Sequence, residues 1–239
     1  MTEAPIAGIA GRRAIVTGAA GGIGRAVVDA LRVAGAEVHG WDRAGVGVAV
    51  VDVADRSAVQ NAWRTTEDAC GPVDIVVQAA GVMTDDWNLC MAVNAGGVRN
   101  VVDVAVAAMT SRGRGCAVVV SSNAGATPRA DLAPYAASKA AATSYARSVA
   151  LAVAPAGVRV NIVSPGSTDT PMLRGMWSSD ADEARVLAGT PNRFRLGIPL
   201  GRIADPADIA AAVVYLVSDA ARHVTMHDLR VDGGATLDM

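Results

Sequence analysis

The 239-residue sequence is poor in aromatic side chains, which make up 3% of it, and in cysteine, of which there are three. The cysteines are odd in number and widely spaced, so they match neither a disulfide framework nor a metal-binding pattern. We therefore expect reduced, inert thiols and no metal site; the three residues are Cys70, Cys90 and Cys116. Alanine and valine dominate the 51% of hydrophobic residues, which favours an aliphatic core.

Neither sign of charge is in excess, since the net charge is −2. Such a balance gives no sign of a nucleic-acid or anionic-membrane partner. The first residues, MTEAPIAGIAG, lack a basic segment followed by an apolar core, and no uninterrupted apolar run reaches the roughly 20 residues of a membrane span. We expect a cytoplasmic protein with no nucleic-acid or membrane partner.

No linker or repeat divides the chain, so residues 1–239 are predicted to form one domain. Short apolar runs alternate with stretches of helical spacing, a pattern typical of βαβ units and of a parallel sheet. The expected fold is α/β, a Rossmann-like doubly wound parallel sheet with helices on both faces. The predicted strands are RRAIVTG, AEVHGWD, VGVAVVDV, VDIVVQAAG, GCAVVVSS, GVRVNIVSPG and LRVDGG; predicted helices span about 23–35, 55–69, 87–112, 134–154 and 206–218.

The region from about 167 to 199 breaks the alternation and contains three prolines, Trp177 and the run SSDADE. An irregular insertion late in a doubly wound fold is where a substrate lid is expected, because lids need low local stability. A surface excursion without function is the alternative.

A glycine-rich turn, TGAAGGIG, joins the first strand to the first helix at residues 17–24. Glycines there let the backbone approach a pyrophosphate, and the helix N-terminus supplies free N–H groups. Asp42 ends the second strand, where a carboxylate accepts hydrogen bonds from ribose hydroxyls and repels a 2′-phosphate, which favours NAD over NADP. The neighbouring Arg43 is of the type that holds a 2′-phosphate, and a plain tight turn is the alternative for the glycines.

Tyr135 and Lys139 are four residues apart and share one face of a predicted helix. An ammonium beside a phenol favours its ionised form, which makes Tyr135 a candidate general acid/base. Ser122 could hold a substrate oxygen nearby. In isolation this pair is a weak signal, because an exposed tyrosine beside a solvated lysine has the same spacing.

Together these segments resemble the classical short-chain dehydrogenase/reductase family over the whole chain. The resemblance rests on TGAAGGIG, AAG at 79–81, VNAGG at 93–97, YAASK at 135–139, PGSTDT at 165–170 and the terminal VDGG. It implies that Tyr135 is the acid/base, that Ser122 orients the substrate oxygen, that Lys139 binds the nicotinamide ribose and lowers the tyrosine pKa, and that Asn94 holds a relay water. It also implies a homotetramer and an NAD site formed by Gly18, Gly22, Ile23, Gly24, Asp42, Asp52, Val53, Ala80, Gly81, Tyr135, Lys139, Pro165, Gly166, Thr168 and Thr170.

Within the family, the segments from 161 to 186 and from 194 to 206 resemble dehydrogenases of catechol siderophore biosynthesis. The implied reaction is NAD-dependent oxidation of a cyclohexadiene carboxylate carbinol, 2,3-dihydro-2,3-dihydroxybenzoate, to 2,3-dihydroxybenzoate. Two departures affect the substrate: Gln78 replaces the usual asparagine, and VMTDDWNLCM at 82–91 is about ten residues shorter than is usual for these enzymes. The alternative substrate is therefore 2,3-dihydro-3-hydroxyanthranilate.

A substrate carboxylate needs a cation, and Arg129 is the first choice because it precedes Tyr135 closely and a guanidinium binds carboxylates in a bidentate fork. Arg193 and Arg195 are alternates, and Met172 is a further candidate wall residue. A solvated surface role is the alternative for each arginine. The histidines lie in no motif, and core or surface roles are expected for His39, His223 and His227.

Two rival functions remain at this point. A 3-ketoacyl-thioester reductase has the same fold, but Asp42 and the net acidity count against its usual NADP and acidic carrier-protein partner. An NAD-sensing scaffold without turnover is disfavoured, because Asn94, Ser122, Tyr135 and Lys139 are all present.

Overall fold

The long strands of the chain form one parallel sheet, and helices cover both of its faces. The computed structural model describes residues 7–179 and 181–237. Its strands are β1 Arg13–Thr17, β2 Glu37–Asp42, β3 Ala49–Val50, β4 Ile75–Gln78, β5 Gly115–Val120, β6 Val158–Pro165, β7 Gly189–Thr190, β8 Arg195–Leu196 and β9 Asp228–Val231. Its α-helices are α1 Gly22–Val33, α2 Arg56–Cys70, α3 Trp87–Cys90, α4 Gly97–Ser111, α5 Ala133–Val153, α6 Pro171–Arg174, α7 Ala181–Ala188 and α8 Pro206–Val217.

The main sheet has seven strands in the order β3-β2-β1-β4-β5-β6-β9, and every neighbouring pair is parallel. The chain runs outward from β1 to β3 and then returns to place β4 on the other side of β1. The strand order therefore reverses between β1 and β4, and ligands bind at such a switch point, outside the carboxyl ends of the strands. The predicted doubly wound fold is confirmed.

Two aliphatic cores separate the sheet from its helices. On one face, α1 and α8 pack on the sheet through side chains such as Leu31 and Ile209, with Val118 of β5 beneath them. On the other face, α2, α4 and α5 cover Val119, the next residue along β5. Both strand faces are buried, which explains why the central strands read as continuous apolar runs.

The third predicted strand, VGVAVVDV, is mostly irregular, and only Ala49–Val50 pairs with β2. Gly45 and Gly47 have positive φ angles of 142° and 74°, which interrupt the extended backbone before the strand. The strand also lies at the sheet edge, where Val50 is exposed and no strand among the described residues pairs with its outer side. The apolar pattern overstated its length because it does not register an edge.

One continuous helix spans Trp87–Ser111, as predicted, but it includes a π-helical segment at Met91–Gly96 between α3 and α4. By length and composition alone this helix could cross a membrane, with a mean hydropathy of 1.3 over its most apolar window. Glycines and asparagines interrupt the linear apolar run within this helix, so the sequence shows no uninterrupted apolar segment of that length. Of that window, 56% is buried inside the protein, as in a core helix packed on a sheet.

The irregular region at 167–199 contains α6, α7 and the antiparallel pair β7–β8. A small separate apolar cluster lies beneath it, formed by Val186, Ile198 and Ala235 with Trp177 packed alongside. This segment covers the carboxyl edge of the sheet with few buried side chains of its own. Its role as a lid stays a prediction.

Candidate active site

Two cavities of about 430 and 310 Å³ lie side by side at the carboxyl edge of the sheet. The larger is bounded by the glycine turn and by the ends of β2 and β4, and the smaller by the end of β5, the start of α5 and the 167–199 segment. Ile23, Thr170 and Met172 line both, so the two cavities share a wall.

Two glycines of the turn permit close packing against neighbouring segments that border the larger cavity. Gly18 has a φ of 67°, and a Cβ atom on it would lie 2.7 Å from the backbone nitrogen of Ala80. A Cβ atom on Gly22 would lie 2.6 Å from Thr170 Cγ2. Gly21, the N-cap of α1, provides no side-chain cap, so the first N–H groups of that helix are free to bind an anion. This cradle fits the diphosphate of a dinucleotide.

Asp42 is held at the end of β2 by two backbone donors. Its carboxylate accepts hydrogen bonds from Ala20 N at 2.9 Å and Arg43 N at 2.7 Å, while the side chain still lines the larger cavity. Arg43 lines the same cavity from the exposed side. On the neighbouring β3 segment, Asp52 accepts a hydrogen bond from Ala54 N at 2.9 Å. Asp42 and Arg43 therefore both face the end of the larger cavity where the adenosine part of the cofactor is expected.

Gln78 ends β4 and organises the turn that follows it. Its Oε1 accepts hydrogen bonds from the Thr17 hydroxyl and from Ala80 N, and the Thr17 hydroxyl in turn accepts from Ala79 N and Ala80 N. Gln78 is buried, and its Nε2 makes no hydrogen bond within the described residues. The glutamine thus shapes the cofactor side of the turn, where the family usually has asparagine.

Tyr135 and Ser122 meet in the smaller cavity, since Ser122 follows β5 and Tyr135 lies in the first turn of α5. Burial raises the pKa of the Tyr135 phenol, and a hydrogen bond with Ser122 acts in the opposite direction. The sequence analysis expected the two hydroxyls to lie near each other, each contacting the substrate oxygen. The sequence analysis predicted a lowered tyrosine pKa, because it considered the charge of Lys139 and left out burial.

Lys139 lies one turn further along α5 and is buried. Its Nζ donates a hydrogen bond to the Val120 carbonyl at 3.0 Å and lies over the Tyr135 ring, 5.8 Å from the centroid. Burial lowers the pKa of this ammonium to about 8. The lysine therefore lies over the ring of Tyr135, and burial raises the tyrosine pKa where a lowering by the lysine was predicted.

Asn94 is fully buried in the π-helical segment, where it fixes the loop after β4. Its Oδ1 accepts from Val82 N at 2.9 Å, and its Nδ2 donates to the Val82 carbonyl and to Ser138 Oγ, each at 2.9 Å. Ser138 Oγ in turn donates to the Tyr135 carbonyl at 2.7 Å. These bonds connect the loop to α5, and the relay water inferred from the family stays a prediction.

The remaining predicted residues line one cavity or the other. Asn94 and Lys139 are the exceptions, since both are buried and line neither cavity. Those at the larger cavity are Gly18, Gly22, Ile23, Gly24, Asp42, Asp52, Val53, Ala80, Gly81, Thr170 and Met172. Those at the smaller cavity are Ser122, Arg129, Tyr135, Pro165, Gly166, Thr168, Thr170, Met172 and Arg195.

Three arginines line the smaller cavity and differ in their partners. Arg193 pairs with Asp131 at the exposed rim. Arg195 donates to Ser167 Oγ at 3.1 Å, and Arg129 forms no ion pair within 4.0 Å in the described part of the chain. Burial lowers the pKa of both Arg129 and Arg195, and the charge of Arg195 lowers the Arg129 pKa further. An anion near these two partly buried like charges would stabilise their charged forms.

A buried polar network beneath this cavity was missed by sequence reasoning. Asn123 Nδ2 donates to Asp232 Oδ2 and to Thr236 Oγ1, each at 3.1 Å, so the chain end after β9 is fixed to the segment after Ser122. The terminal VDGG was used only as a family signature. Asp232 also raises the Arg129 pKa, opposing the effects of burial and Arg195.

A family profile described as enoyl-(acyl carrier protein) reductase matches residues 18–236 of this chain. The chain belongs to the short-chain dehydrogenase/reductase family. It is accordingly a nicotinamide-dependent oxidoreductase. The resemblance predicted from the sequence motifs is confirmed.

Relatives within the short-chain dehydrogenase/reductase family are similar over nearly the whole chain. The 2,3-dihydro-2,3-dihydroxybenzoate dehydrogenase of Escherichia coli (strain K12) is 41% identical, covering 95% of this chain and 98% of that protein. The protein of the same name from Bacillus subtilis (strain 168) is 39% identical, covering 96% and 98%. The crystal structure of gox2181 has a TM-score of 0.85 and 33% identity, covering 94% of this chain and 95% of that one.

Lys139 should make the free energy of unfolding depend on pH between about 8 and 10.5. Because burial lowers its pKa from 10.5 to about 8, the folded protein has lost a proton in this window that the unfolded chain still holds. Unfolding takes up that proton, so the free energy of unfolding rises with pH, by at most about 1.4 kcal/mol for each step of one in pH. Urea unfolding across the window measures this.

Lys139→Met is the matched comparison for that titration. The variant cannot bind the proton, so the difference between wild type and variant isolates the lysine from other groups that titrate in the same range. We expect the free energy of unfolding of the variant to rise less steeply between pH 8 and 10.5. Parallel curves for the two proteins would show that Lys139 keeps an ordinary pKa.

Proposed function

We propose that this protein oxidises 2,3-dihydro-2,3-dihydroxybenzoate to 2,3-dihydroxybenzoate, with NAD as the oxidant, in the biosynthesis of a catechol siderophore. The main support is the pair of guanidinium groups, Arg129 and Arg195, in the cavity that also contains Ser122 and Tyr135. Relatives at 41% and 39% identity bear this activity in their names.

A carboxylate suits the arginine pair for an electrostatic reason. Each guanidinium is desolvated, and Arg195 further disfavours the charged form of Arg129. An anion between them removes that repulsion, and a planar carboxylate matches the fork of a guanidinium. Arg193 is already neutralised by Asp131, which leaves Arg129 and Arg195 as the carboxylate ligands.

The reaction needs one proton and one hydride to leave a ring carbinol. Ser122 would hold the substrate hydroxyl, and Tyr135 would accept its proton, a role for which the Ser122 hydrogen bond favours the ionised phenol and burial opposes it. A bound nicotinamide would supply the hydride acceptor for the same carbon. The ketodiene that results tautomerises to the aromatic catechol, and aromatisation makes the oxidation effectively one-way.

The larger cavity supports the choice of a dinucleotide, and Asp42 supports NAD. The uncapped start of α1 and the turn at Gly18 and Gly22 would hold the diphosphate, while Lys139 would hold the nicotinamide ribose. A 2′-phosphate would lie beside the Asp42 carboxylate and be repelled. Arg43 lies at the same end of the cavity, so the preference rests on the balance of the two charges.

Two other substrate classes make different demands on the smaller cavity. A 2,3-dihydro-3-hydroxyanthranilate also carries a carboxylate and differs from the proposed substrate at the ring amine. A 3-ketoacyl thioester has no carboxylate at the reacting end and gives the arginine pair no partner. The arginines therefore favour either cyclohexadiene acid over the thioester.

The test is a panel assay of the purified protein. NADH formation is followed with 2,3-dihydro-2,3-dihydroxybenzoate, with the 3-hydroxyanthranilate analogue and with a neutral cyclohexadiene diol, and a 3-ketoacyl thioester is assayed in the reducing direction. We expect the dihydroxybenzoate precursor to have the highest kcat/KM. Turnover of the thioester with no activity on either cyclohexadiene acid would overturn the proposed substrate class.

Tyr135→Phe should abolish proton transfer while keeping the ring that lies over Lys139. We expect turnover to fall by roughly 10²–10⁴-fold, the usual value of a positioned acid/base, with little change in cofactor affinity. Stopped-flow turnover and titration of NAD binding measure the two quantities separately. Turnover within threefold of wild type would remove Tyr135 from the acid/base role.

Asp42→Asn should relax cofactor selectivity. The amide keeps an oxygen for Ala20 N but removes the charge that repels a 2′-phosphate, so the ratio of kcat/KM for NAD over NADP should fall at least about tenfold. Asp52→Asn, in the same cavity, is the matched control and should leave the ratio within about threefold. A wild-type enzyme that already prefers NADP would contradict the assignment of Asp42.

Arg129→Met should weaken binding of the acid substrate selectively. Loss of a partly buried carboxylate contact costs about 2–3 kcal/mol, appearing chiefly in KM if the contact is equal in ground and transition states. Arg193→Met is the matched control and should have little effect, because an exposed ion pair contributes about 0–1 kcal/mol. Equal losses for the acid and for a neutral diol would mean that Arg129 supports the loop rather than the ligand.

We also propose that the protein acts as a cytoplasmic homotetramer. The helices α4 and α5 are rich in alanine, which permits close packing between helices of different subunits, and Leu151 on α5 is 65% exposed. Static light scattering at micromolar concentration should give four times the 24.2 kDa chain mass. A monomeric mass would contradict the proposal.

A further inference from the structure

Three different metal-ligating side chains meet at the amino edge of the sheet, opposite the active site. Glu37 and His39 begin β2, and Cys70 is the last residue of α2. Side chains two residues apart on a strand share a face. Trp41, the next on that face, packs in the same core as Trp63 of α2, so Glu37 and His39 also face α2.

The ligand atoms of these residues are close enough to share one ion. A nitrogen or oxygen of His39 and Glu37 and the sulfur of Cys70 all lie within 4.8 Å of one another. His39 Nε2 and Glu37 Oε1 are 3.3 Å apart. Two ligands at 2.0–2.1 Å from a tetrahedral zinc ion are separated by about 3.3 Å, so this pair already has the required spacing.

His39 Nε2 gives a second and independent indication. The atom is buried and makes no hydrogen bond with any residue that the structure describes, although Glu37 Oε1 is near. The imidazole side chain is 31% exposed, and coordination of a metal would give this nitrogen a bond to an ion that it shares with the Glu37 carboxylate. Linear spacing gave no hint of this group, because its members are brought together by the β2–α2 packing.

The donor set indicates the metal. A thiolate, an imidazole and a carboxylate are the ligands of zinc, whereas magnesium and calcium take oxygen ligands alone. Three protein ligands leave one tetrahedral position for water. Burial raises the pKa of the Cys70 thiol, with Glu37 acting in the same direction and Arg13 against it, so a bound ion must displace the thiol proton.

Arg13 is the main opposing charge. Its Nε lies 3.6 Å from Glu37 Oε2, and its Nη1 is 3.5 Å from the Pro72 carbonyl. A guanidinium repels a dication and competes for the carboxylate. It therefore lowers the affinity of the group without removing any of the three ligand atoms.

We propose that Glu37, His39 and Cys70 bind Zn²⁺ and that the ion fastens the end of α2 to the start of β2. The group lies at the opposite edge of the sheet from Tyr135, so its role is structural. Zinc should raise the melting temperature of the full-length protein and leave kcat unchanged.

Spectroscopy on the full-length chain tests the ligand set. After treatment with a chelator, the protein is titrated with Co²⁺, which should give the thiolate-to-cobalt charge-transfer absorption and the intense visible bands of tetrahedral coordination. X-ray absorption of the zinc form should show one sulfur at about 2.3 Å and nitrogen or oxygen at about 2.0–2.1 Å. Cobalt bound without charge-transfer absorption would overturn the proposal.

Substitutions locate the site and provide matched controls. His39→Gln and Glu37→Gln should each weaken Zn²⁺ binding at least about tenfold, since even loss of an outer-shell partner costs that much. His223→Gln removes an exposed histidine elsewhere and should have no effect. Arg13→Gln should tighten binding. Equal affinities for the His39→Gln and His223→Gln proteins would place any bound zinc elsewhere.

Alkylation gives a readout that needs no substitution of the cysteine. Cys70 is partly exposed, whereas Cys90 and Cys116 are buried. Iodoacetamide should therefore modify Cys70 first in the native protein, as followed by mass spectrometry. Stoichiometric Zn²⁺ should slow that reaction at least about tenfold in wild type and much less in the His39→Gln protein. An unchanged rate in wild type would show that Cys70 is not a ligand.

Discussion

The hydrogen bond from the buried Lys139 ammonium to the Val120 carbonyl fixes the relation between α5 and the sheet on which the site depends. Val120 is the last residue of β5, so this bond places the start of α5 over the strand end where Ser122 lies. Ser121 adds a bond from its hydroxyl to the Lys139 carbonyl at 3.3 Å. At Gly125, a Cβ atom would lie 3.0 Å from the α5 backbone, so a larger residue would have to push the helix away by a few tenths of an ångström.

Burial determines the electrostatics of both halves of the site. It lowers the pKa of Lys139 to about 8 and raises that of Tyr135, so each residue is shifted toward its neutral form. Because both side chains are desolvated, a charged ligand placed against them would change their pKa values strongly. The arginine pair in the smaller cavity follows the same rule, because its desolvated charges favour an anionic substrate over a neutral one.

The interior of the molecule is uniform, while its edges are specialised. Continuous valine-rich strands pack on both faces, and three of the polar residues that break this pattern, Gln78, Ser122 and Asp42, lie at or just after strand ends. The carboxyl edge carries the two cavities of the candidate active site. The amino edge carries the Glu37, His39 and Cys70 group, which shares no residue with the cavities. Residues at either edge of the sheet can therefore be substituted without changing the packing of the core.

Sequence alone was enough to predict the doubly wound fold, the long helices and the residues that line the cofactor cavity, because hydrophobic periodicity and short motifs are local properties of the chain. It overstated β3, since an apolar run carries no sign of lying at a sheet edge. Three features could be read only from the folded chain: the direction of the Tyr135 pKa, the pairing of Arg193 with Asp131 and the meeting of Glu37, His39 and Cys70. Each of these depends on which distant segments pack together, and burial and charge act through that packing rather than through spacing along the chain.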